Sequence, residues 1–215
     1  MDICSMSLLV VSATELEIAP FLQVNKSADF LITGIGIAST TFHLTKQLLS
    51  GKYDLVIQAG IAGTFTGALL PGDVVIVKKD TFGDLGIYEN NKFHTLFETG
   101  LESGDKFPFE NGWLNNYNPV VNTLSLSGVT GITVNTISES LKNKQQLEQK
   151  FHSEIESMEG AVLHYVCLQL RIPFLQIRGI SNQVGVRDKS KWQITLAIKN
   201  LNYELQKLIL NNNKS

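Results

Sequence analysis

The stretch that most restricts how this chain can fold is residues 155–182, IESMEGAVLHYVCLQLRIPFLQIRGISN, which reads as one strand, helix, strand unit. A short apolar strand leads into a helix whose apolar positions are Ala161, Val162, Tyr165, Val166, Cys167 and Leu170. A second apolar run, residues 174–177, follows. Two polar places interrupt the unit: Ser157-Met158-Glu159-Gly160 where strand meets helix, and Arg178-Gly179-Ile180-Ser181-Asn182 as a tip beyond the second strand. In an open parallel sheet ligands bind outside the carboxyl ends of the strands, so both places face one crevice. An acid and an amide there point to chemistry on a small polar molecule.

The remaining apolar runs fit a layered α/β chain. Residues 8–11, Leu-Leu-Val-Val, are continuously apolar, as expected of a strand covered on both faces. Residues 30–32 enter a Gly34-Ile35-Gly36 turn and a helix over residues 38–49. The G-x-G is not a dinucleotide fingerprint, because Ser39 stands where a third glycine belongs and no acid ends the next strand; close helix-on-strand packing accounts for both glycines. Residues 55–57 form a strand that ends in a loop, Gln58-Ala59-Gly60-Ile61-Ala62-Gly63, whose small residues let the backbone approach something closely. Pro71-Gly72-Asp73 is a turn before a strand over residues 74–77.

From residue 80 to 118 the pattern dissolves into Gly, Asn and Asp with scattered aromatics. A loop this long is functional or disordered, and the aromatics argue for a pocket wall or a subunit contact. Residues 129–137 alternate as a strand and lead to a charged, solvated helix over residues 140–150. The final helix, with Ile194, Ala197, Ile198, Leu201, Leu205, Leu208 and Ile209 at helical spacing, reads as core packing alone.

A chain of 215 residues buries a large core as one domain, residues 1–215, and no linker divides it. A formal net charge of −2 gives no reason to expect nucleic acid or an anionic membrane as partner. The early apolar run is too short for a signal peptide, and Cys4 and Cys167 show no disulfide or metal spacing, so the expectation is a cytoplasmic protein. His43, His94, His152 and His164 neither cluster nor sit at ligand spacing, and no metal or cofactor is expected.

Taken in order, Ala13-Thr14-Glu15-Leu16-Glu17, Gly34-Ile35-Gly36, Gly60-Ile61-Ala62-Gly63, Pro71-Gly72-Asp73, Ser157-Met158-Glu159-Gly160-Ala161 and Arg178-Gly179-Ile180-Ser181-Asn182 resemble the motifs of the nucleoside phosphorylase and nucleosidase superfamily. The resemblance spans most of the chain. It implies a three-layer α/β/α fold with a central twisted mixed sheet, the phosphorylase/hydrolase-like fold, and a purine nucleoside as small-molecule substrate. It also implies a homodimer or higher homo-oligomer, with part of residues 80–118 near the partner's pocket.

Cleaving a nucleoside at its glycosidic bond passes through an oxocarbenium-like sugar, which calls for a base on water, a holder of the ribose hydroxyls and a donor to the departing purine. The resemblance gives Glu17 the water, Glu159 with Met158 the ribose, and Asn182 with Ser181 the base. Arg178 would orient the water or its carboxylate, Ala62 and Gly63 would approach purine and ribose through main-chain groups, and Thr136 and Ile137 would flank the base. Plainer readings stand beside these. Met158 is the kind of residue that fills cores, and Arg178 is a structural ion-pair partner as readily as a catalyst. Thr14-x-x-Glu17 is a capping box, although Pro20 would then lie inside the helix, which argues for Glu17 standing free in a turn. For Glu159 the plain reading is weaker, because an acid between an apolar strand and an apolar helix is costly without partners.

Two further features narrow the expectation. Phosphorylases of the superfamily carry an N-terminal glycine-rich loop with an arginine for phosphate, whereas Ser12-Ala13-Thr14-Glu15-Leu16-Glu17 has no glycine or basic residue, so water is the expected nucleophile. Adenine-specific members carry aspartate where this chain has Asn182. A carboxamide cannot protonate, but its NH2 donates to N7 and to a 6-keto oxygen together, which favours hypoxanthine. The local string ISNQVGVRDKSKW is most similar to the futalosine hydrolases, enzymes of the futalosine route to menaquinone that release hypoxanthine and leave dehypoxanthine futalosine. Arg187, Lys189 and Lys191 either meet the carboxylate of futalosine or form a solvated loop. The alternatives are an adenine nucleosidase acting on methylthioadenosine or S-adenosylhomocysteine, and a non-catalytic purine-nucleoside-binding protein of the same fold.

Overall fold

A computed structural model describes residues 7–25, 28–90, 92–137, 140–186 and 188–212. The chain opens with strand β1 (Leu8–Ser12), helix α1 (Glu15–Val24), β2 (Asp29–Ile32) and α2 (Ile37–Ser50), followed by the long β3 (Leu55–Thr64) and β4 (Val74–Asp80). A small hairpin of β5 (Gly86–Glu89) and β6 (Lys92–Thr95) and the two-residue β7 (Leu114–Asn115) precede β8 (Ser127–Thr133) and α3 (Leu141–Phe151). The unit β9 (Ile155–Ser157), α4 (Gly160–Leu170), β10 (Phe174–Gln183) and the helix α5 (Ile194–Asn212) complete it.

Strand β1 shows why three layers form. Successive side chains point to opposite faces of a sheet, and all four of its apolar residues are buried. Leu8 and Val10 pack with Ile18 and Phe21 of α1 and with Leu201, Leu205 and Leu208 of α5. Leu9 and Val11 pack on the other face with Leu44 and Leu48 of α2 and with Val162, Leu163 and Val166 of α4. The fold is the α/β architecture with a mixed sheet that the sequence led us to expect.

Strand β3 organises that sheet. Its first half pairs with β1 in parallel, and its end pairs with β9 antiparallel, through Gly63 and Glu156. Its other edge carries β10 in parallel along nearly its whole length. Because β10 also pairs with β4, β4 with β8 and β8 with β9, five strands close on themselves, while β1 and β2 extend the sheet outward from β3.

Two stretches expected as loops are therefore strand. Gly60-Ile61-Ala62-Gly63 continues β3, and Arg178 to Asn182 continue β10, with a register irregularity between Ile180 and Asn182. The small residues of β3 keep these strands adjacent: a Cβ on Gly60 would lie 2.4 Å from Arg178 Nη1, and one on Gly63 would lie 3.3 Å from Asn182 Nδ2. What the backbone approaches is the side chains of Arg178 and Asn182 on the neighbouring strand.

Close packing on the helix accounts for Gly34, where a Cβ would lie 2.5 Å from Ser39 Oγ of α2, but not for Gly36, where it would meet nothing within 4 Å; both have positive φ, 77° and 89°, so at Gly36 turn conformation alone selects glycine. Within residues 80–118, Phe82, Phe97 and Phe109 form an aromatic cluster that reaches Tyr165 of α4. Among the described residues no helix is long and apolar enough to cross a membrane.

Candidate active site

The largest buried side chain is a cation, Arg178, only 1% exposed. Burying a charge demands partners, and they define the site. Its Nη2 donates to Gln58 Oε1 at 2.7 Å, and Nη1 lies 3.6 Å from Glu159 Oε2. Glu159 itself ends the turn after β9 and stands as the residue before the first turn of α4; its Oε1 accepts from the backbone amide of Gly36 at 3.0 Å. Burial pushes the Glu159 carboxyl above its ordinary range, and the nearby charge of Glu17 pushes the same way, while Arg178 and the Gly36 amide draw it back.

Glu17 sits on the first turn of α1 and is buried. Its Oε2 accepts from the Thr14 amide at 3.0 Å, the Thr14 hydroxyl at 2.9 Å and the Ser12 hydroxyl at 3.2 Å; its Oε1 accepts from the Ile61 amide of β3 at 3.0 Å. The capping box is thus formed with Pro20 inside the helix, against the expectation that Glu17 stands free in a turn. Next to the proline the Phe21 amide donates to Asn202 Oδ1 at 3.0 Å, and Asn202 Nδ2 donates to the Glu17 carbonyl at 2.8 Å. Capping and facing the cavity turn out to be compatible: Oε2 caps, and Oε1, with one donor, keeps acceptor capacity.

At the end of β10 the Ser181 hydroxyl lies 2.7 Å from Asn182 Oδ1, and Asn182 Nδ2 donates to the Gln183 carbonyl at 3.0 Å. A carbonyl only accepts, so the group facing Gln183 is the NH2 and the Ser181 hydroxyl donates to Oδ1. One amide hydrogen of Asn182 is left for a ligand.

These residues wall a cavity of about 240 Å³. Of the residues singled out in the sequence, Glu17, Ala62, Gly63, Ile137, Met158, Glu159, Ser181 and Asn182 line it. Arg178 lies beneath, held against Glu159. Thr136 is exposed and lines a neighbouring cavity of about 550 Å³, which shares Ile137 but contains neither the acids nor the carboxamide. No described residue of the 80–118 segment lines the smaller cavity, whereas Gly83, Asp84, Tyr88, Phe93 and Glu98 line the larger one. Lys189 and Lys191 are exposed, and Arg187 and Cys4 lie outside the described residues.

Sequence reasoning missed part of the wall. Leu16, Ile35 and Ile61 contribute, as do Trp192, Ile194 and Ile198 from α5 and its approach, so the last helix is more than core packing. The helical spacing of α5 marked its buried face correctly but could not show that the upper end of that face meets a cavity. It missed as well a buried layer behind the site: Gln176 Nε2 donates to Asp80 Oδ2 at 3.2 Å and the Thr133 hydroxyl to Asp80 Oδ1 at 3.1 Å, while Thr133 Oγ1 accepts from the Ala161 amide of α4. Burial pushes Asp80 up to about 7 and pushes His164, buried against Phe174, down to about 4. Among the described residues no group of three or more His, Cys, Asp or Glu is placed to hold a metal ion.

Comparison with known proteins agrees with this geometry. The family model of the phosphorylase superfamily matches residues 30–210. Futalosine hydrolase from Thermus thermophilus is 27% identical over 94% of this chain and 94% of its own length. Among solved structures, futalosine hydrolase of Helicobacter pylori superposes with a TM-score of 0.77 at 16% identity, covering 97% of each chain. The 5'-methylthioadenosine/S-adenosylhomocysteine nucleosidase of Helicobacter pylori, solved with butyl-thio-DADMe-Immucillin-A, gives 0.78 at 15% identity, covering 97% of this chain and 99% of that one. These two likenesses are likenesses of fold.

Proposed function

Because the chain belongs to the phosphorylase superfamily, we propose that it hydrolyses the N-glycosidic bond of futalosine, releasing hypoxanthine and dehypoxanthine futalosine on the route to menaquinone. The observation that supports the reading is the Ser181–Asn182 pair, at a cavity walled by two buried carboxylates, whose hydrogen bonds hold the carboxamide with its oxygen on Ser181 and leave one amide hydrogen unspent. The hydrogen that Gln183 leaves free donates to N7 or to the 6-keto oxygen of hypoxanthine, and the NH2 offers nothing to accept the 6-amino group of adenine.

In this reading Glu17 Oε1 takes a proton from water as the water oxygen bonds to the anomeric carbon and the bond to N9 breaks. Glu159, whose charged form Arg178 and the Gly36 amide favour, accepts from the ribose hydroxyls and stabilises positive charge developing on the sugar. Asn182 stabilises the negative charge arriving on the purine. Ala62 and Gly63 lie beside it on β3, and Met158 and Ile137 give apolar contact to the nucleoside.

Water rather than phosphate is the nucleophile, since none of the described residues lining the cavity is basic and the turn after β1 gives its amide and hydroxyls to Glu17. The enzyme works without a cofactor, in the cytoplasm, as a homo-oligomer; exposed Phe42 and Leu49 on α2 support a subunit contact.

Incubation with futalosine in ¹⁸O-labelled water, with and without phosphate, tests the reaction. Free hypoxanthine, label on the anomeric carbon of the sugar product and a rate indifferent to phosphate are the expected result. A sugar 1-phosphate, or no released base, would overturn it.

A further inference from the structure

We propose that Asn202, in the middle of α5, is a positioning residue for Glu17. The inference rests on the reading of Glu17 as the group that activates water. In an uninterrupted α-helix the amide of residue 21 donates to the carbonyl of residue 17. In α1, which contains Pro20, the carboxamide of Asn202 inserts between them: the Phe21 amide donates to Oδ1 at 3.0 Å, and Nδ2 donates to the Glu17 carbonyl at 2.8 Å. The second Nδ2 hydrogen goes to the Ile198 carbonyl at 2.7 Å, within α5. Asn202 is 1% exposed, so the carboxamide is enclosed with every hydrogen committed.

Both anchored residues, Glu17 and Ile198, line the cavity, which they reach from different helices. The backbone of Glu17 is therefore set from α5, while its carboxylate is set from β3 through the Ile61 amide. With those two ends fixed, the side chain spans the gap in one way. Removing the carboxamide frees the Phe21 amide and the Glu17 carbonyl to pair directly, which tightens the turn around Pro20 and draws the Glu17 backbone away from β3. Misplacing a catalytic group by about an ångström costs on the order of a hundredfold in rate.

The test is a cycle of Asn202→Ala and Glu17→Gln, assayed on futalosine, with Asn202→Asp as a second variant that keeps the side-chain volume but cannot donate to the Glu17 carbonyl. Leu205→Ala, a core substitution on the same helix, controls for lost stability. Asn202→Ala and Asn202→Asp should each lower kcat by at least about tenfold with KM changed less than about threefold. In the Glu17→Gln background the same changes should alter kcat by less than about twofold, because residues that act through one another are not additive. Leu205→Ala should lower the unfolding temperature and leave kcat within about twofold. If Glu17→Gln alone retains wild-type turnover, the reading of Glu17 fails and the proposal with it. If Glu17→Gln lowers turnover to a measurable residual rate while the Asn202 variants lower kcat equally in both backgrounds, or not at all, Asn202 only holds two helices together and the proposal is overturned.

Discussion

Gly60 stands directly across from Arg178 in the parallel ladder of β3 and β10, and a methyl group on Gly60 would lie 2.4 Å from Arg178 Nη1 and 3.1 Å from Glu17 Oε1. The guanidinium cannot yield easily, since Gln58 and Glu159 hold it and it is buried. Gly60→Ala should therefore lower kcat/KM by roughly a hundredfold, an effect larger than its cost in stability. Steady-state kinetics beside a thermal melt would check this; near-normal activity would show that the guanidinium has room to move.

Glu17→Gln should bind nucleoside almost as well as wild type and lower turnover by roughly a hundredfold or more, as loss of a general base does. The amide oxygen can still accept from Thr14, which keeps α1 capped, although the NH2 cannot accept from Ile61. Single-turnover rates with enzyme in excess separate binding from chemistry. Turnover close to wild type would reduce Glu17 to a helix cap.

Burial raises the Glu159 carboxyl and Arg178 restrains that rise. Since the ribose hydroxyls need an ionised acceptor, the acid limb of kcat/KM should lie above the ordinary carboxylate range, with activity lost as pH falls through it. Arg178→Met should move this limb to higher pH, because the cation no longer favours the charged form. A limb that stays in place would mean another group governs it.

Asp80 and His164 give a pH dependence of stability. The folded pKa of Asp80 is raised from 3.8 to about 7, so the folded chain holds a proton that the unfolded chain has lost, and stability falls as pH rises through that window. The folded pKa of His164 is lowered from 6.5 to about 4, so stability falls as pH drops through that window. Between about pH 4 and 6.5 the two slopes oppose each other. Asp80→Asn leaves the His164 slope uncovered, and the variant should lose stability on acidification from pH 6.5 to 4.5 by up to about 1.4 kcal/mol per pH unit relative to wild type. Urea unfolding at several pH values measures it, and parallel curves for the two proteins would contradict it.

Much of this was legible in the sequence. Continuous apolar runs marked β1 and β4, and Glu159 was conspicuous as an acid between two apolar elements. What stayed hidden depended on neighbours distant in the chain. The glycines of β3 read as a loop because the side chains that need their space, Arg178 and Asn182, lie more than a hundred residues later. Pro20 argued against a helix, and the Asn202 carboxamide of α5 that bonds the turn beside it could not be seen from there. Asp80, Thr133 and Gln176 carry no local signal, since each is polar for the sake of the others. Thr136 and Ile137 were paired by adjacency, yet only Ile137 faces the cavity with the acids.

The central claim is that Asn182 selects a 6-oxopurine, and the ratio of kcat/KM for two nucleosides that differ only at C6 tests it most directly. Wild type should favour the hypoxanthine nucleoside, and Asn182→Asp should shift the ratio toward adenine by roughly one to two powers of ten, the effect of one buried polar contact left unpaired. An ionised carboxylate would repel the keto oxygen, whereas a protonated one donates to N7. A wild-type preference for the adenine nucleoside would contradict the assignment of futalosine as substrate.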